Sequence, residues 1–269
     1  MTELPVEDGQ CRSLVRETID NMPSYWHSFW NNYYSGTPVT DDELLRQTAN
    51  TVNRKPIPQQ MLRQRARRIA SILDLSSNDE LIDLCCGNGL TDFELAHYVK
   101  SIVGIDFAEN LIDAALRLKQ QPNILYCVGN VTEPLSSMIG EELIPNKVLM
   151  VSSLGYFQPR ELDKLLCNVI RHLRGRAFQF LIEGIPNFEM KANFYDTPER
   201  VARHLENERI HPDTNDGIGR WWRAEEIETI CWSHGLFVQV TNQTVDGANY
   251  RMDALIRKIQ GLQAKETEG

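Results

Sequence analysis

The chain has 269 residues, 42% hydrophobic and 24% charged, with a formal net charge of −9 and a sequence pI near 5.2. This length and apolar content suit one large α/β domain with additions, whose core needs neither disulfides nor a structural metal. The acidic balance argues against nucleic-acid partners, which require Lys and Arg to neutralise phosphates; the local run Arg63, Arg65, Arg67 and Arg68 reads as the solvated face of a helix.

The segment Met1–Asp8 is acidic and lacks an apolar stretch, so no signal peptide is expected. No window reaches the roughly 18 apolar residues that cross a bilayer, which excludes a membrane partner of that kind. Cys11, Cys85, Cys86, Cys127, Cys167 and Cys231 show no zinc spacing. They read as free thiols in a cytoplasmic protein, with no metal expected.

Residues 1–55 form a helical prelude. Its aromatic cluster, Tyr25, Trp26, Phe29, Trp30, Tyr33 and Tyr34, suits a lid, and Thr40-Asp-Asp-Glu43 has the form of a capping box. Met61, Ile69, Ile72 and Leu73 recur with helical spacing, predicting a long amphipathic helix over 58–73. At Glu80 the period changes. Apolar runs at 80–85, 101–106, 123–128, 147–151 and 178–182 alternate with helical stretches at 91–99, 111–119 and 160–173. That alternation predicts a doubly wound, mostly parallel sheet.

Residues 186–222 break the rhythm and read as an insertion after the fifth strand. A helix over 224–234 and strands over 237–241 and 250–256 complete a core spanning 56–185 and 223–262, with 263–269 as a disordered tail. Seven strands follow, the closing one antiparallel.

The chemistry concentrates in Asp83-Leu-Cys-Cys-Gly-Asn-Gly89, which leaves the first strand and opens a helix. Glycine lets a ligand lie against backbone and lets the chain turn sharply. A second acid, Asp106, ends the next strand 23 positions later, near the spacing of a ribose-binding carboxylate. As an acceptor-only group it suits a ribose diol. A dinucleotide fingerprint would place its third glycine at Asp92. An acid there would oppose a pyrophosphate, so a ligand without phosphate is expected.

Leu81–Leu90 followed by Val103-Gly-Ile-Asp-Phe-Ala108 resembles the first motifs of the Rossmann-like class I S-adenosylmethionine-dependent methyltransferases, over about residues 60–258. The resemblance implies S-adenosylmethionine as cofactor. It implies that Asp83 helps hold the methionine ammonium and that backbone at Cys85, Gly87 and Gly89 lines the cofactor. By the same likeness Asp106 binds ribose, Phe107 lies against adenine, Asn130 and Val131 meet the adenine amine, and Ser152 and Ser153 lie beside the methionine. Cys85 stands where the family most often has glycine, and Asn130 where it often has aspartate. Cys85 is expected only to leave slightly less room, and Asn130 to accept from the adenine amine through a weaker contact.

On the acceptor side, Lys55-Pro-Ile-Pro58, Glu183-Gly-Ile-Pro-Asn187, Phe194–Arg200 and Gly217–Trp222 resemble small-molecule methyltransferases, including those of bacterial sugar and secondary-metabolite pathways. A small polar acceptor is therefore expected. Trp26 is assigned to the cofactor as a lid aromatic facing the sulfonium by cation–π attraction. Tyr33, Tyr156, Tyr195, Arg220 and Trp222 are assigned to the acceptor, and Tyr156, His204 and His211 are the catalytic candidates. A nicotinamide-dependent oxidoreductase and a catalytically silent methyltransferase-like subunit are the alternatives. Acceptor identity and oligomeric state have no signal in the sequence.

Overall fold

A computed structural model describes residues 24–52, 55–210, 218–244 and 248–259. The chain divides into two compact units, one of residues 1–68 and 76–144, the other of 69–75 and 145–269. The expected α/β architecture is present. Strands β1 Glu80–Leu84, β2 Ser101–Asp106, β3 Ile124–Val128, β4 Lys147–Val151, β5 Phe178–Pro186, β6 Phe237–Asn242 and β7 Arg251–Lys258 form one seven-stranded sheet. Their order is β3-β2-β1-β4-β5-β7-β6.

In the first unit β1, β2 and β3 run parallel, with Asp83 opposite Gly104 and Gly104 opposite Tyr126. Partners in register point to the same face of a pleated sheet, so these three positions form one transverse row. Helices α1 Ser24–Asn32, α2 Asp41–Gln47, α3 Gln59–Ile72, α4 Leu90–Leu95, α5 Glu109–Leu118 and the short α6 Ser136–Ile139 come in chain order through this part. The capping box at Thr40 is formed: Glu43 accepts from the Thr40 N–H at 3.0 Å, and Thr40 Oγ1 accepts from the Glu43 N–H at 3.3 Å.

The described part of the prelude contributes to the core. Leu44 and Leu45 of α2 are fully buried and cluster with Ile57, Leu62, Leu90 and Ala114. Two apolar side chains on an otherwise charged seven-residue helix are a weak sequence signal, which is why α2 reads as peripheral until its packing is seen.

In the second unit β4 pairs parallel with β5, while β5–β7 and β7–β6 are antiparallel. β5 runs to Pro186, further than the sequence suggests, because a bulge between Ile182 and Ile185 lets it continue past Gly184. Gly184 has φ +76° and donates its N–H to Asp253 Oδ1 at 2.9 Å. Helix α7 Pro159–His172 precedes β5, and α10 Ala224–Ser233 precedes β6. The insertion carries helices α8 Lys191–Phe194 and α9 Pro198–Ile210. Among the described residues no helix is long and apolar enough to cross a membrane.

Candidate active site

The cofactor candidates other than Ser152 and Ser153 lie in the first unit, most of them just past the carboxyl ends of β1, β2 and β3. The turn after β1 begins with Cys85 at φ +67°, followed by Gly87 at φ +61° and Gly89 at φ +73°. The N–H groups of Cys85 and Cys86 both donate to Ile105 O, at 2.8 and 3.0 Å, binding the turn to β2. The family's preference for glycine at position 85 thus has a conformational reason rather than one of room alone. A left-handed backbone costs a side-chain-bearing residue on the order of 1–2 kcal/mol.

Gly87 has its backbone partly exposed, and its N–H donates to Asp106 Oδ2 at 2.9 Å. Asp106 Oδ1 accepts the Ala108 N–H at 2.9 Å. A carboxylate has about four acceptor positions, so Asp106 keeps capacity for a diol while holding the glycine turn in place. Burial pushes its pKa up to about 6 despite the lowering effect of those N–H donors.

Gly89, by contrast, is buried, and a Cβ there would lie 2.2 Å from Tyr126 Oη. Its glycine makes room for that tyrosine, not for a ligand. Asn88 Nδ2 donates to Leu44 O at 2.8 Å and to Gln47 Oε1 at 2.9 Å, so α2 buttresses the turn. This supporting role of Asn88 and Gln47 is absent from any sequence motif.

Two assignments change on the buried side of the turn. Asp83 is 1% exposed and Asp92 0% exposed. Asp83 belongs to the row with Gly104, and Asp92 of α4 packs against the same place: a Cβ on Gly104 would meet Asp92 Oδ2 at 2.7 Å, Cys86 Sγ at 2.9 Å and Tyr126 Cδ1 at 2.9 Å. Taken as carboxylates, Asp83 Oδ1 and both Asp92 oxygens lack a donor. A proton on one acid, donated to the other, supplies one. Desolvation first, then the Asp92 charge, hold Asp83 well above the usual carboxylate range, and desolvation pushes Asp92 up to about 7. Asp83 therefore presents no side-chain oxygen to a methionine ammonium. Asp92 faces no ligand either, so the expected clash with a pyrophosphate is not a property of this site.

Phe107 is half-buried, with the His27 ring of α1 at 5.7 Å and tilted 30° to it. Asn110 Nδ2 donates to the carbonyls of Trp30 and Asn31 at 3.4 and 3.5 Å, docking α1 on the start of α5. The α1 residue against Phe107 is thus His27, whereas Trp26 packs edge-on against Phe29 and Tyr33 makes tilted contacts with Phe29 and Trp30. Asn130 Oδ1 accepts both the N–H and the hydroxyl of Thr132, at 3.0 and 2.9 Å. Its acceptor positions are filled, so it offers its NH₂ as a donor instead of accepting from an adenine amine. Val131 is buried.

The second unit holds the cofactor candidates Ser152 and Ser153 and every acceptor candidate except Tyr33. Ser152 follows β4 in a left-handed conformation, φ +54°, and its N–H donates to Glu183 O at 2.7 Å. Ser153 Oγ donates to Val151 O at 2.9 Å. The short helical turn Leu154–Tyr156 packs directly on Ile218–Arg220: the Arg220 N–H donates to Gly155 O at 2.6 Å, and a Cβ on Gly155 would lie 2.4 Å from Ile218 O. Tyr156 is half-buried beside this contact.

Trp222 is 0% exposed and donates its indole N–H to Leu154 O at 3.0 Å, while its backbone N–H donates to Pro186 O at 2.8 Å. It anchors the end of the insertion and is not a pocket wall, which corrects its assignment to the acceptor. Arg220 spans the Trp222 ring, 5.0 Å from its centroid, and pairs with Glu226. Tyr195 stacks on His204 at 4.0 Å with 19° between planes, and with Phe194, Trp221 and Tyr250 forms an aromatic cluster. His211 lies outside the described residues.

Residues 81–176 match the family model described as a methyltransferase domain. Among curated proteins, the chain is 31% identical over 90 residues to a 23S rRNA (uracil(1939)-C(5))-methyltransferase of Aliivibrio fischeri, covering 32% of this chain and 20% of that one. It is 23% identical over 151 residues to a peramine synthetase of Metarhizium majus, covering 53% of this chain and 5% of the other. The chain therefore spans a fifth or less of the length of these relatives. Two solved structures share the fold. An S-adenosylmethionine-dependent methyltransferase from Anabaena variabilis has a TM-score of 0.57 at 17% identity, over 87% of this chain and 93% of that one. The magnesium protoporphyrin IX methyltransferase of Synechocystis, with bound S-adenosylhomocysteine, has 0.54 at 13% identity, over 87% and 98%. Residues 81–176 thus match a methyltransferase-domain model, and the chain shares its Rossmann-like fold with these solved structures.

Proposed function

We propose that the chain is an enzyme that transfers the methyl group of S-adenosylmethionine to a small polar metabolite through an oxygen or nitrogen acceptor. The observation that carries the cofactor half is the Asp106 carboxylate, held by the Gly87 and Ala108 N–H groups beside the half-buried Phe107 ring. When bound, S-adenosylmethionine supplies an electrophilic methyl group on a sulfonium. The unused acceptor positions of Asp106 take the ribose hydroxyls, Phe107 covers the adenine, and the partly exposed backbone of Cys85 and Gly87 lines the chain between them. Asn130 donates to a purine ring nitrogen.

The acceptor side rests on the insertion. Tyr195, with His204 stacked on it, offers an aromatic face edged by Lys191, whose Nζ is 5.7 Å from the Tyr195 centroid. Such a surface suits a ring or sugar carrying hydroxyls. The net charge of −9 favours a small acceptor over a polyanion. For an oxygen acceptor, His204 as neutral imidazole, or Tyr156 as phenolate, receives the acceptor proton, a contribution of about 10²–10⁴-fold. The remaining acceleration comes from orienting the two reactants.

Mass spectrometry of the purified protein tests the cofactor reading: retained S-adenosylmethionine or S-adenosylhomocysteine is the expected result. Calorimetric binding of NADH but not S-adenosylhomocysteine would overturn it. Methyl transfer from labelled cofactor to RNA, with none to the small-molecule fraction of a cell extract, would remove the acceptor assignment.

A further inference from the structure

Three side chains outside the cofactor and acceptor regions meet on one face of the second unit. Asp163 and Cys167 occupy positions i and i+4 of α7, so both project from the same side of the helix. His234 caps α10. The turn beyond α10 is stiffly built: the His234 N–H donates to Cys231 O at 3.1 Å, the Leu236 N–H to Cys231 O at 3.0 Å, and Gly235 takes φ +66°. That termination fixes where the imidazole stands. Its Nε2 lies 2.9 Å from Asp163 Oδ1, and its Nδ1 lies 4.0 Å from Cys167 Sγ.

The geometry points to a binding site for a divalent transition metal of the zinc class, formed by Asp163, Cys167 and His234. One ligand atom from each residue lies within 4.8 Å of the other two. Zinc binds thiolate sulfur at ~2.3 Å and imidazole nitrogen or carboxylate oxygen at ~2.0–2.2 Å, so tetrahedral neighbours sit roughly 3.3–3.5 Å apart. The 2.9 and 4.0 Å separations engage opposite ring nitrogens, so closing on one ion requires the imidazole to present a single nitrogen and the side chains to draw in from within 4.8 Å. The donor set is one sulfur, one nitrogen and one oxygen, which suits a borderline-soft ion rather than calcium or magnesium.

The Asp163 side chain is 53% exposed, leaving the fourth position to water, while the His234 side chain is 16% exposed and held in place. Binding releases the Cys167 thiol proton to solvent as the metal–sulfur bond forms. The ion would tie α10 to α7. No spacing motif announces the site, because His234 lies 67 residues beyond Cys167 and only the packing of two helices joins them.

The test uses the untagged full chain, stripped by chelator and titrated with Co²⁺, with Zn²⁺ as competitor. The expected result is one equivalent bound, with tetrahedral visible bands and a near-ultraviolet thiolate-to-cobalt band that Zn²⁺ abolishes. Cys167→Ser should remove the near-ultraviolet band. His234→Gln and Asp163→Asn should each weaken binding at least ~10–100-fold, as loss of even an outer-shell group does. Bound Zn²⁺ should also protect Cys167 from iodoacetamide, read by peptide mass spectrometry. Absence of a thiolate band, or its persistence in Cys167→Ser with a folded far-ultraviolet spectrum, would overturn the site. So would rapid alkylation of Cys167 that Zn²⁺ leaves unchanged, which would mark a thiol–imidazole pair that holds no metal.

Discussion

Replacing Asp92 by Asn isolates the buried acid pair beneath the glycine turn. Asp92 is 0% exposed, and desolvation raises its pKa from 3.8 to about 7. A carboxyl whose folded pKa exceeds its unfolded value binds more protons in the folded state. The slope of unfolding free energy with pH is then negative across the interval. The stabilisation is complete below about pH 4 and is lost as pH rises through about 7. At ~1.4 kcal/mol per unit, the raised pKa values of the Asp83–Asp92 pair shift stability by on the order of several kcal/mol, a change that belongs to the pair rather than to Asp92 alone. Asn has the shape of the neutral acid and can donate its NH₂ to Asp83, but it cannot ionise.

Urea unfolding followed by tryptophan fluorescence, at intervals between pH 4.5 and 8.5 without cofactor, reads the difference directly. Near pH 4.5 the two proteins should be of similar stability, and Asp92→Asn should gain on the wild type steadily as pH rises. Asp106 is common to both and largely cancels, whereas Asp83, whose pKa is raised by Asp92, titrates lower in the variant and widens the gap. Parallel curves for the two proteins would refute the account of Asp92 as a protonated partner of Asp83.

Four further outcomes follow from the same geometry. Asp106→Ala should weaken S-adenosylhomocysteine binding by about 10- to 150-fold in calorimetry, the ~1.5–3 kcal/mol of hydrogen bonds to a charged group; unchanged affinity would remove it from the ribose site. Gly104→Ala should destabilise by ~1–3 kcal/mol in denaturant unfolding, since its Cβ would meet three buried side-chain atoms at 2.7–2.9 Å. Trp222→Phe loses the bond to Leu154 O and should lower stability by ~1–3 kcal/mol. Arg220→Ala and Tyr195→Phe should reduce turnover while S-adenosylhomocysteine affinity stays within about twofold, a change of ~0.4 kcal/mol; full activity in both would move the acceptor pocket elsewhere.

Alternation of apolar runs and helical stretches was enough to indicate the doubly wound sheet, because buried parallel strands read as short unbroken hydrophobic segments. The residues from Asp83 to Asp106 indicated the cofactor class, because a glycine turn at a strand end followed by an acid at the next strand's end is local in sequence. What each of those residues does was decided by tertiary structure. Strand register aligns Asp83, Gly104 and Tyr126, and the packing of α4 and its preceding turn brings Asp92 and Gly89 against them. That packing turned Asp92 from a supposed ligand-facing acid into an internal one. The burial of α2, the capture of Trp222 by Leu154 O, the contact of His27 with Phe107 and the meeting of His234 with Asp163 all join residues distant in the chain. Periodicity reports which face of an element is apolar. It carries no information about which distant side chain that face will meet, and on that choice the protonation, exposure and ligand capacity of these residues depend.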